Sequence, residues 1–169
     1  MKPTKQSDTE IILGVDPGLA STGWGIIKKE KSNISLVDYG CISTSPEEPF
    51  SSRLKQIHEK LKKIIKNYKP ARIALEDLFF AKNAKSALKI GEVRGVIKLT
   101  AIQCQVPLIE FTPLQIKQAI TGYGRADKNQ ISQMVKLNLN LKEIPKPDHA
   151  ADALAIAICC SQTNRKLIT

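Results

Sequence analysis

Four residues of the types that bind metal ions or transfer protons stand at the ends of predicted secondary-structure elements. Asp16 and Glu76 each end a short apolar run of strand length, and His149 and Asp152 lie near the start of an alanine-rich helical segment. Their i, i+3 spacing places His149 and Asp152 on one helical face. Carboxylate oxygens hold Mg²⁺ or Mn²⁺, and two such ions about 3.5 to 4 Å apart stabilise both oxygens of an in-line displacement. In a basic protein, such a cluster would suit phosphodiester hydrolysis.

Each of these residues also has a simpler structural interpretation. Asp16 precedes a Pro-Gly pair and could be a turn aspartate that bonds its own backbone. Glu76 could be a solvated strand end, Asp148 could cap the final helix, and a lone residue such as His149 is often structural. Asp152 is harder to explain in this way, because a carboxylate buried among alanines needs a charge partner or a metal ion.

The elements that would position these residues form an α/β pattern. Strands are predicted over residues 11–16, 24–27 and 34–42, and their short connections indicate an antiparallel meander. The remaining elements alternate between helix and strand, at residues 49–66, 72–76, 84–103, 107–111, 114–120, 127–139 and 150–160. Thr112 and Asp127 are the predicted caps of two helices. The sequence therefore predicts three antiparallel strands followed by two parallel ones, with helices around them.

Length and charge restrict the possible classes of protein. The 169 residues are enough for one domain, predicted over residues 11–161 between polar tails at 1–10 and 162–169. Lys and Arg number 26 against 16 Asp and Glu, which leaves a formal charge of +10. This excess favours binding to nucleic acid or simply solubilises the surface, and charge alone does not separate the two.

The sequence offers no sign of membrane insertion or disulfide bonding. No run approaches the roughly 20 apolar residues that span a bilayer, and residues 1–10 lack the apolar region of a secretory signal. We therefore expect a cytoplasmic protein. The cysteines, expected to be buried thiols, form neither a CxxC pair nor a metal-finger framework; they are Cys41, Cys104, Cys159 and Cys160.

Three segments resemble the RuvC family of Holliday-junction resolvases, which belongs to the RNase H-like superfamily. They are residues 14–25, with GVDPG followed by TGWG, residues 73–79 (IALEDLF) and residues 149–155 (HAADALA). Two further stretches fit as well, AKNA at 81–84 and IKQ at 116–118. The likeness thus extends over nearly all of the chain from residue 11 to residue 158, and taken together its motifs are specific.

The resemblance implies an RNase H-like fold, with a five-stranded mixed sheet flanked by helices on both faces. It also implies a metal-dependent endonuclease that works as a homodimer in recombination and repair. Such an enzyme nicks two opposed strands of a four-way DNA junction and works beside junction-binding and branch-migration proteins of the RuvA and RuvB type. By position, Asp16, Glu76 and Asp152 match the catalytic carboxylates of the family, which hold Mg²⁺ or Mn²⁺, two ions per site. His149 stands where many members have aspartate and some have histidine.

The resemblance also assigns residues that contact DNA. Lys117 and Lys128 match basic positions that support DNA binding or cleavage, and Arg125 lies in the flexible loop between them. Phe79 matches an aromatic residue that contacts unstacked bases near the junction, and Phe80 is the second candidate for that contact. The alternatives are solvated helix faces for the lysines and a place in the core for either phenylalanine.

Small residues recur along the helix at 84–103, at Ala84, Ala87, Gly91 and Gly95. This spacing permits close approach of another element, which is either a second copy of the chain or an internal strand or helix. The resemblance favours a dimer contact.

Two other functions fit parts of the sequence. Residues 14–23 also resemble the first phosphate loop of actin-like and sugar-kinase-like ATPases, but those folds need a duplicated domain and the chain shows no second copy. A non-catalytic junction-binding protein would share the basic charge. It would not need Glu76 and Asp152 together at the ends of buried elements, where unpaired acids are costly.

Overall fold

The computed structural model describes residues 9–77 and 84–163, in which five strands form one mixed sheet. The strands are β1 (Thr9–Asp16), β2 (Ser21–Glu30), β3 (Asn33–Ser43), β4 (Arg72–Glu76) and β5 (Leu108–Phe111). Their order across the sheet is β3-β2-β1-β4-β5. β2 is antiparallel to β1 and to β3, whereas β4 is parallel to β1 and to β5. The predicted meander and parallel pair are therefore confirmed.

Helices cover both faces of the sheet, as predicted. They are α1 (Phe50–Tyr68), α2 (Ala84–Gln103), α3 (Pro113–Thr121), α4 (Lys128–Asn138) and α5 (Asp148–Ser161). Along β1 and β4 the side chains alternate, so that Leu13 and Leu75 pack in one core with α1 and α2. Ile12 and Ala74 pack on the opposite face, in a second core built around α5. None of the helices within the described ranges is long and apolar enough to cross a membrane.

The parallel pairing of β1 and β4 sets the position of the two predicted strand-end acids. Val15 pairs with Leu75, so Asp16 and Glu76 lie side by side at the carboxyl edge of the sheet. Even numbering puts both side chains on the face that α5 covers. We call this edge the catalytic edge, after the role that the resemblance implies for Asp16 and Glu76.

Side-chain caps explain where two of the helices begin, and a third prediction of this kind is wrong. Thr112 and Asp127 each form a capping box with the glutamine three residues on, as their sequence positions predict. At α5 the N-cap residue is Pro147 and no side chain caps the helix. Asp148 is instead the first helical residue, and its carboxylate pairs with Lys128.

α5 packs directly on the backbone of the sheet, because glycines in β1 and β2 leave room for it. A Cβ atom at Gly14 would lie 2.0 Å from the carbonyl oxygen of Ala153, and one at Gly23 would lie 1.9 Å from that of His149. Such distances are far inside van der Waals contact. The two glycines therefore set the depth at which α5 sits, and with it the position of His149 beside Asp16.

The cysteine prediction is correct for only two of the four residues. Cys159 and Cys160 are buried in α5, but Cys41 and Cys104 are half-buried. All four are free thiols. Burial raises the pKa of the Cys159 thiol to about 12, which makes it an inert core residue.

Candidate active site

Asp16 and His149 meet at the catalytic edge although they are 133 positions apart. Nδ1 of His149 lies 2.7 Å from Oδ2 of Asp16, and the Asp16 residue is only 8% exposed. Burial raises the pKa of Asp16, and the negative charge of Asp152 adds to that effect, although the hydrogen bond from His149 opposes it. The contact to His149 replaces the turn interpretation, since the carboxylate bonds a distant helix rather than its own loop.

Asp152 completes a group of possible metal ligands. One ligand atom each from Asp16, His149 and Asp152 lie within 4.8 Å of one another. Two carboxylates and an imidazole at this separation fit a divalent cation. Asp152 is not buried as its alanine neighbours suggest, because its side chain is 32% exposed.

Glu76 faces the same cluster from the end of β4. Burial raises its pKa to about 7, and the negative charges of Asp16 and Asp152 contribute further. Arg94 and Lys117 act in the opposite direction but do not cancel the effect. A solvated strand end would not show this shift. A cleft of about 160 Å³ adjoins Glu76, and Asp152 and Lys117 lie on its wall with apolar side chains of α3, α4 and α5.

Lys128 forms ion pairs with two aspartates of α5. Its Nζ lies 3.2 Å from Oδ2 of Asp148 and 3.5 Å from Oδ2 of Asp152. Burial lowers the pKa of Lys128, but the two carboxylates outweigh that effect and raise it overall. Asp148 is 72% exposed and stands outside the group of possible metal ligands. The structure thus separates two aspartates that sequence spacing alone puts on one face.

The predicted DNA-contacting residues fall into two groups. Lys117 is half-buried beside the cleft, and Arg125 is exposed in the loop between α3 and α4. Together with Lys128, they place positive charge along the side of the site formed by α3 and α4. Phe79 and Phe80 lie outside the described residues.

Sequence reasoning missed an ion-pair network behind Glu76. Nη2 of Arg94 lies 2.6 Å from Oδ1 of Asp77, the residue after Glu76, and also pairs with Glu110. Lys98 adds a second contact to Glu110, at 2.9 Å. The network ties the end of β4 to α2 and β5. These residues are charged positions of an ordinary helix and strand, so only the tertiary structure shows that they meet.

Comparison with known proteins gives a consistent result. The family model for "Crossover junction endodeoxyribonuclease RuvC" matches residues 12–160. The protein of that description from Caldicellulosiruptor saccharolyticus is 56% identical over 149 residues, which are 88% of this chain and 90% of the relative. The one from Desulforamulus reducens is 51% identical over 152 residues, 90% of this chain and 93% of the relative.

Solved structures agree with the fold as well as with the family. The structure of Thermus thermophilus RuvC in complex with Holliday junction substrate is 34% identical and has a TM-score of 0.85. The match covers 89% of this chain and 92% of that one. The yeast mitochondrial Holliday junction resolvase is 12% identical with a TM-score of 0.65, which shows a shared fold alone. The predicted RNase H-like fold is confirmed, and the chain belongs to the RuvC family of crossover junction endodeoxyribonucleases.

Proposed function

We propose that the chain resolves four-way DNA junctions by paired, symmetric hydrolysis of phosphodiester bonds, with its chemistry at the catalytic edge. The observation that carries this proposal is the convergence of Asp16, Glu76, His149 and Asp152 from two strands and one helix. Like charges at this separation raise one another's pKa and cost stability unless cations neutralise them. Bound divalent cations would neutralise these charges, so the arrangement supports a metal-binding role for the cluster.

Asp16, Glu76, His149 and Asp152 are the proposed ligands of two Mg²⁺ ions, with Mn²⁺ as the alternative. When bound, the ions would supply an activated water and stabilise the charge on the attacked phosphate. Asp16 and His149 lie at hydrogen-bond distance and burial raises the pKa of Asp16, so a bound cation would compete with protonation of this carboxylate. Metal affinity should therefore increase with pH.

Cationic side chains around the cluster would position the DNA. Lys117 and Lys128 flank Asp152, and Arg125 extends from the adjoining loop. Contacts of this kind hold phosphates without reading sequence, in agreement with the overall charge of +10. Phe79 and Phe80 remain the proposed residues for stacking on unpaired bases at the junction centre.

The outer face of α2 is the proposed contact with a second copy of the chain. Leu88, Leu99 and Ile102 are 70%, 54% and 73% exposed, at helical spacing along this face. Gly91 and Gly95 lie between them, and a Cβ atom at either glycine would contact nothing within 4 Å. No internal strand or helix in the described part of the chain fills this space.

A two-fold dimer through α2 would present two equivalent sites to a junction that is itself roughly two-fold. This geometry explains how a single-domain chain could make two symmetric nicks. Proteins of the RuvA and RuvB type are the proposed partners that bind and move the junction.

Cleavage of a synthetic mobile four-way junction tests the central proposal, with a linear duplex of equal sequence as the substrate control. With Mg²⁺, the wild type should nick the junction at symmetric positions and leave the duplex intact. Asp16→Asn should abolish cleavage and retain junction binding, because binding depends chiefly on cationic side chains.

Asp148→Asn is the matched control, since it makes the same chemical change at an exposed aspartate outside the cluster. It should cleave at a rate within a few-fold of the wild type. Wild-type cleavage by Asp16→Asn would contradict the assignment of the site, and equal cleavage of junction and duplex would contradict junction selectivity.

The dimer is tested by Ile102→Glu, measured by equilibrium sedimentation. A charge in the centre of an apolar interface should convert dimer to monomer and remove paired nicking. Leu137→Glu is the control, because Leu137 is 68% exposed on α4, away from the proposed interface. A dimeric Ile102→Glu variant would place the interface elsewhere.

A further inference from the structure

Arg53 is a nearly buried cation with no acidic partner in the described ranges. The residue is 9% exposed, and its Nε donates a hydrogen bond of 2.8 Å to Oγ1 of Thr44, a neutral acceptor. Among the described residues, no carboxylate lies within ion-pair distance of its guanidinium group. Buried charges are usually paired, because the free energy needed to remove a charge from water otherwise exceeds the stabilisation from its hydrogen bonds. Within the described part of the chain, Arg53 therefore has no counter-charge at ion-pair distance.

Arg53 lies at the catalytic edge. Thr44 follows the end of β3, and its hydroxyl donates to the carbonyl of Leu19 at 2.6 Å. The Thr44 backbone N–H also bonds the carbonyl of Ala20, at 3.1 Å. Leu19 and Ala20 belong to the loop that directly follows Asp16. One short chain of hydrogen bonds thus links the guanidinium of Arg53 to this loop.

The beginning of α1 adds a second feature that attracts anions. Its N-cap is Pro49, no side chain caps it, and its first turn contains no acidic residue. The first N–H groups of a 19-residue helix therefore have no protein acceptor of the usual kind, and they carry the positive end of the helix dipole. Glu47 and Glu48 precede the helix and carry negative charge, but neither caps it, and the Glu48 carboxylate accepts a hydrogen bond from Gln56.

We propose that Arg53 and the beginning of α1 form a binding site for a DNA phosphate other than the one that is cut. The planar fork of arginine matches the oxygens of a phosphate, which would supply the missing counter-charge. β2 separates β3 from β1, and α1 packs on the face of the sheet opposite α5, so the site stands apart from the acids around Asp16. The site rests on the proposed function in one respect, since its ligand is the DNA of that reaction.

The dependence of DNA binding on salt concentration distinguishes a phosphate contact from a purely structural role. Junction binding is measured by fluorescence anisotropy without divalent metal, so that no cleavage occurs, over a series of NaCl concentrations. Each lost phosphate contact lowers the slope of log K against log salt by about 0.9. Arg53→Gln should show this loss, with about tenfold weaker binding at low salt.

Two variants serve as controls. Lys66→Gln removes one charge from the same helix at its opposite end, where Lys66 is exposed, and it should keep the wild-type slope. Thr44→Val removes the neutral hydrogen-bond partner but leaves the guanidinium in place, so it should also keep the slope. A wild-type slope for Arg53→Gln would overturn the proposal and make Arg53 a brace for the loop after Asp16.

Folding is checked by circular dichroism before binding is interpreted. Should Arg53→Gln not fold, Arg53→Lys gives the second test, because it keeps the charge but loses the fork. It should bind the junction several-fold more weakly with an unchanged slope, and wild-type affinity would overturn the proposal. The proposed function is tested separately, with the wild type alone. If the wild type binds junction and linear duplex with equal affinity, the proposed function fails, whatever the Arg53 variants show.

Discussion

The neighbouring strands β1 and β4 carry charged residues at both ends, arranged in opposite ways. Where β4 begins, Arg72 is 3% exposed, and its Nε and Nη2 donate to the two carboxylate oxygens of Glu10 on β1, at 2.7 and 3.0 Å. Where the strands end, Asp16 and Glu76 are both acids and face a third, Asp152. At the end with Arg72 the charges form an ion pair within the protein, whereas at the end with Asp16 and Glu76 negative charges lie close together.

The two ends of these strands therefore have different proposed roles: the paired end stabilises the fold, and the acidic end carries the proposed chemistry. The Arg72–Glu10 pair is bidentate and complete, so it needs nothing from outside the protein. Burial raises the pKa of all three acids at the catalytic edge, and neighbouring negative charges add to the effect, whereas the nearby cations and His149 oppose it. A folded protein keeps such a cluster at a cost in stability, which bound metal ions would remove.

The largest expected effect is on catalysis, from Glu76→Gln at the acidic end. The amide is nearly isosteric but cannot carry the charge of a metal ligand, so we expect cleavage to fall by at least about 10³-fold. The free energy of unfolding in EDTA should stay the same or increase, because a repulsive charge is removed. Single-turnover cleavage and urea unfolding measure the two quantities. A large loss of stability would mean that the acidic end is structural too.

The next effect is on stability, from Glu10→Ala at the paired end. Removing the carboxylate leaves the buried Arg72 guanidinium with the Thr163 carbonyl but without its Glu10 counter-charge, and we expect the free energy of unfolding to fall by about 3 kcal/mol. Cleavage below the melting temperature should be unchanged. The double variant Glu10→Leu with Arg72→Met replaces both charges by apolar groups and should recover most of the loss. Reduced cleavage at full stability would show that the two ends are coupled.

The smallest effect is the pH dependence of stability without metal. Burial raises the pKa of Glu76 from 4.5 to about 7, so between these values the folded protein retains a proton that the unfolded chain has released. The free energy of unfolding should therefore fall as pH rises through this window, by about 2 kcal/mol after allowance for solvent screening, and level off above pH 7. Urea unfolding in EDTA at several pH values measures it.

Two comparisons sharpen the pH experiment. Glu76→Gln should flatten the decline between pH 4.5 and 7, and excess Mg²⁺ should oppose it in the wild type, because the ion binds the deprotonated cluster. Asp16 and Asp152 have raised pKa values as well, so they add to the decline in the same direction. Stability that increases with pH across this window would contradict the raised pKa values of these acids, which burial and neighbouring negative charges cause.

Local patterns predicted most of the fold. The apolar run ending at Glu76 and the proline-free pattern of α2 have the predicted bounds, and Asp127 caps α4 as its position indicates. The cap assigned to Asp148 is wrong, because Pro147 is the N-cap residue; the Asp148 carboxylate instead pairs with Lys128, from a different helix. The sequence predicts well the structural features that depend on local residues, and it predicts poorly those that depend on contacts with another element.

The candidate site shows the same limit. The residue types and strand ends identified Asp16, Glu76, His149 and Asp152, but the contact between Asp16 and His149 spans 133 positions and follows from how α5 sits on the sheet. No local pattern shows that Arg94 and Glu110 meet behind Glu76. A signal for the packing was present nonetheless, since glycine within a strand often marks close approach of another backbone.

The glycines at positions 14 and 23 have a consequence for how activity is lost on heating. α5 carries His149 and Asp152 at one end and continues as a buried core helix through Cys160, with its backbone against β1 and β2. The helix therefore cannot detach without opening the core, and local unfolding of the catalytic edge should be coupled to global unfolding. Thermal inactivation and the unfolding of the whole domain should then follow one cooperative transition, and amides in α5 should exchange their hydrogens only when the domain opens.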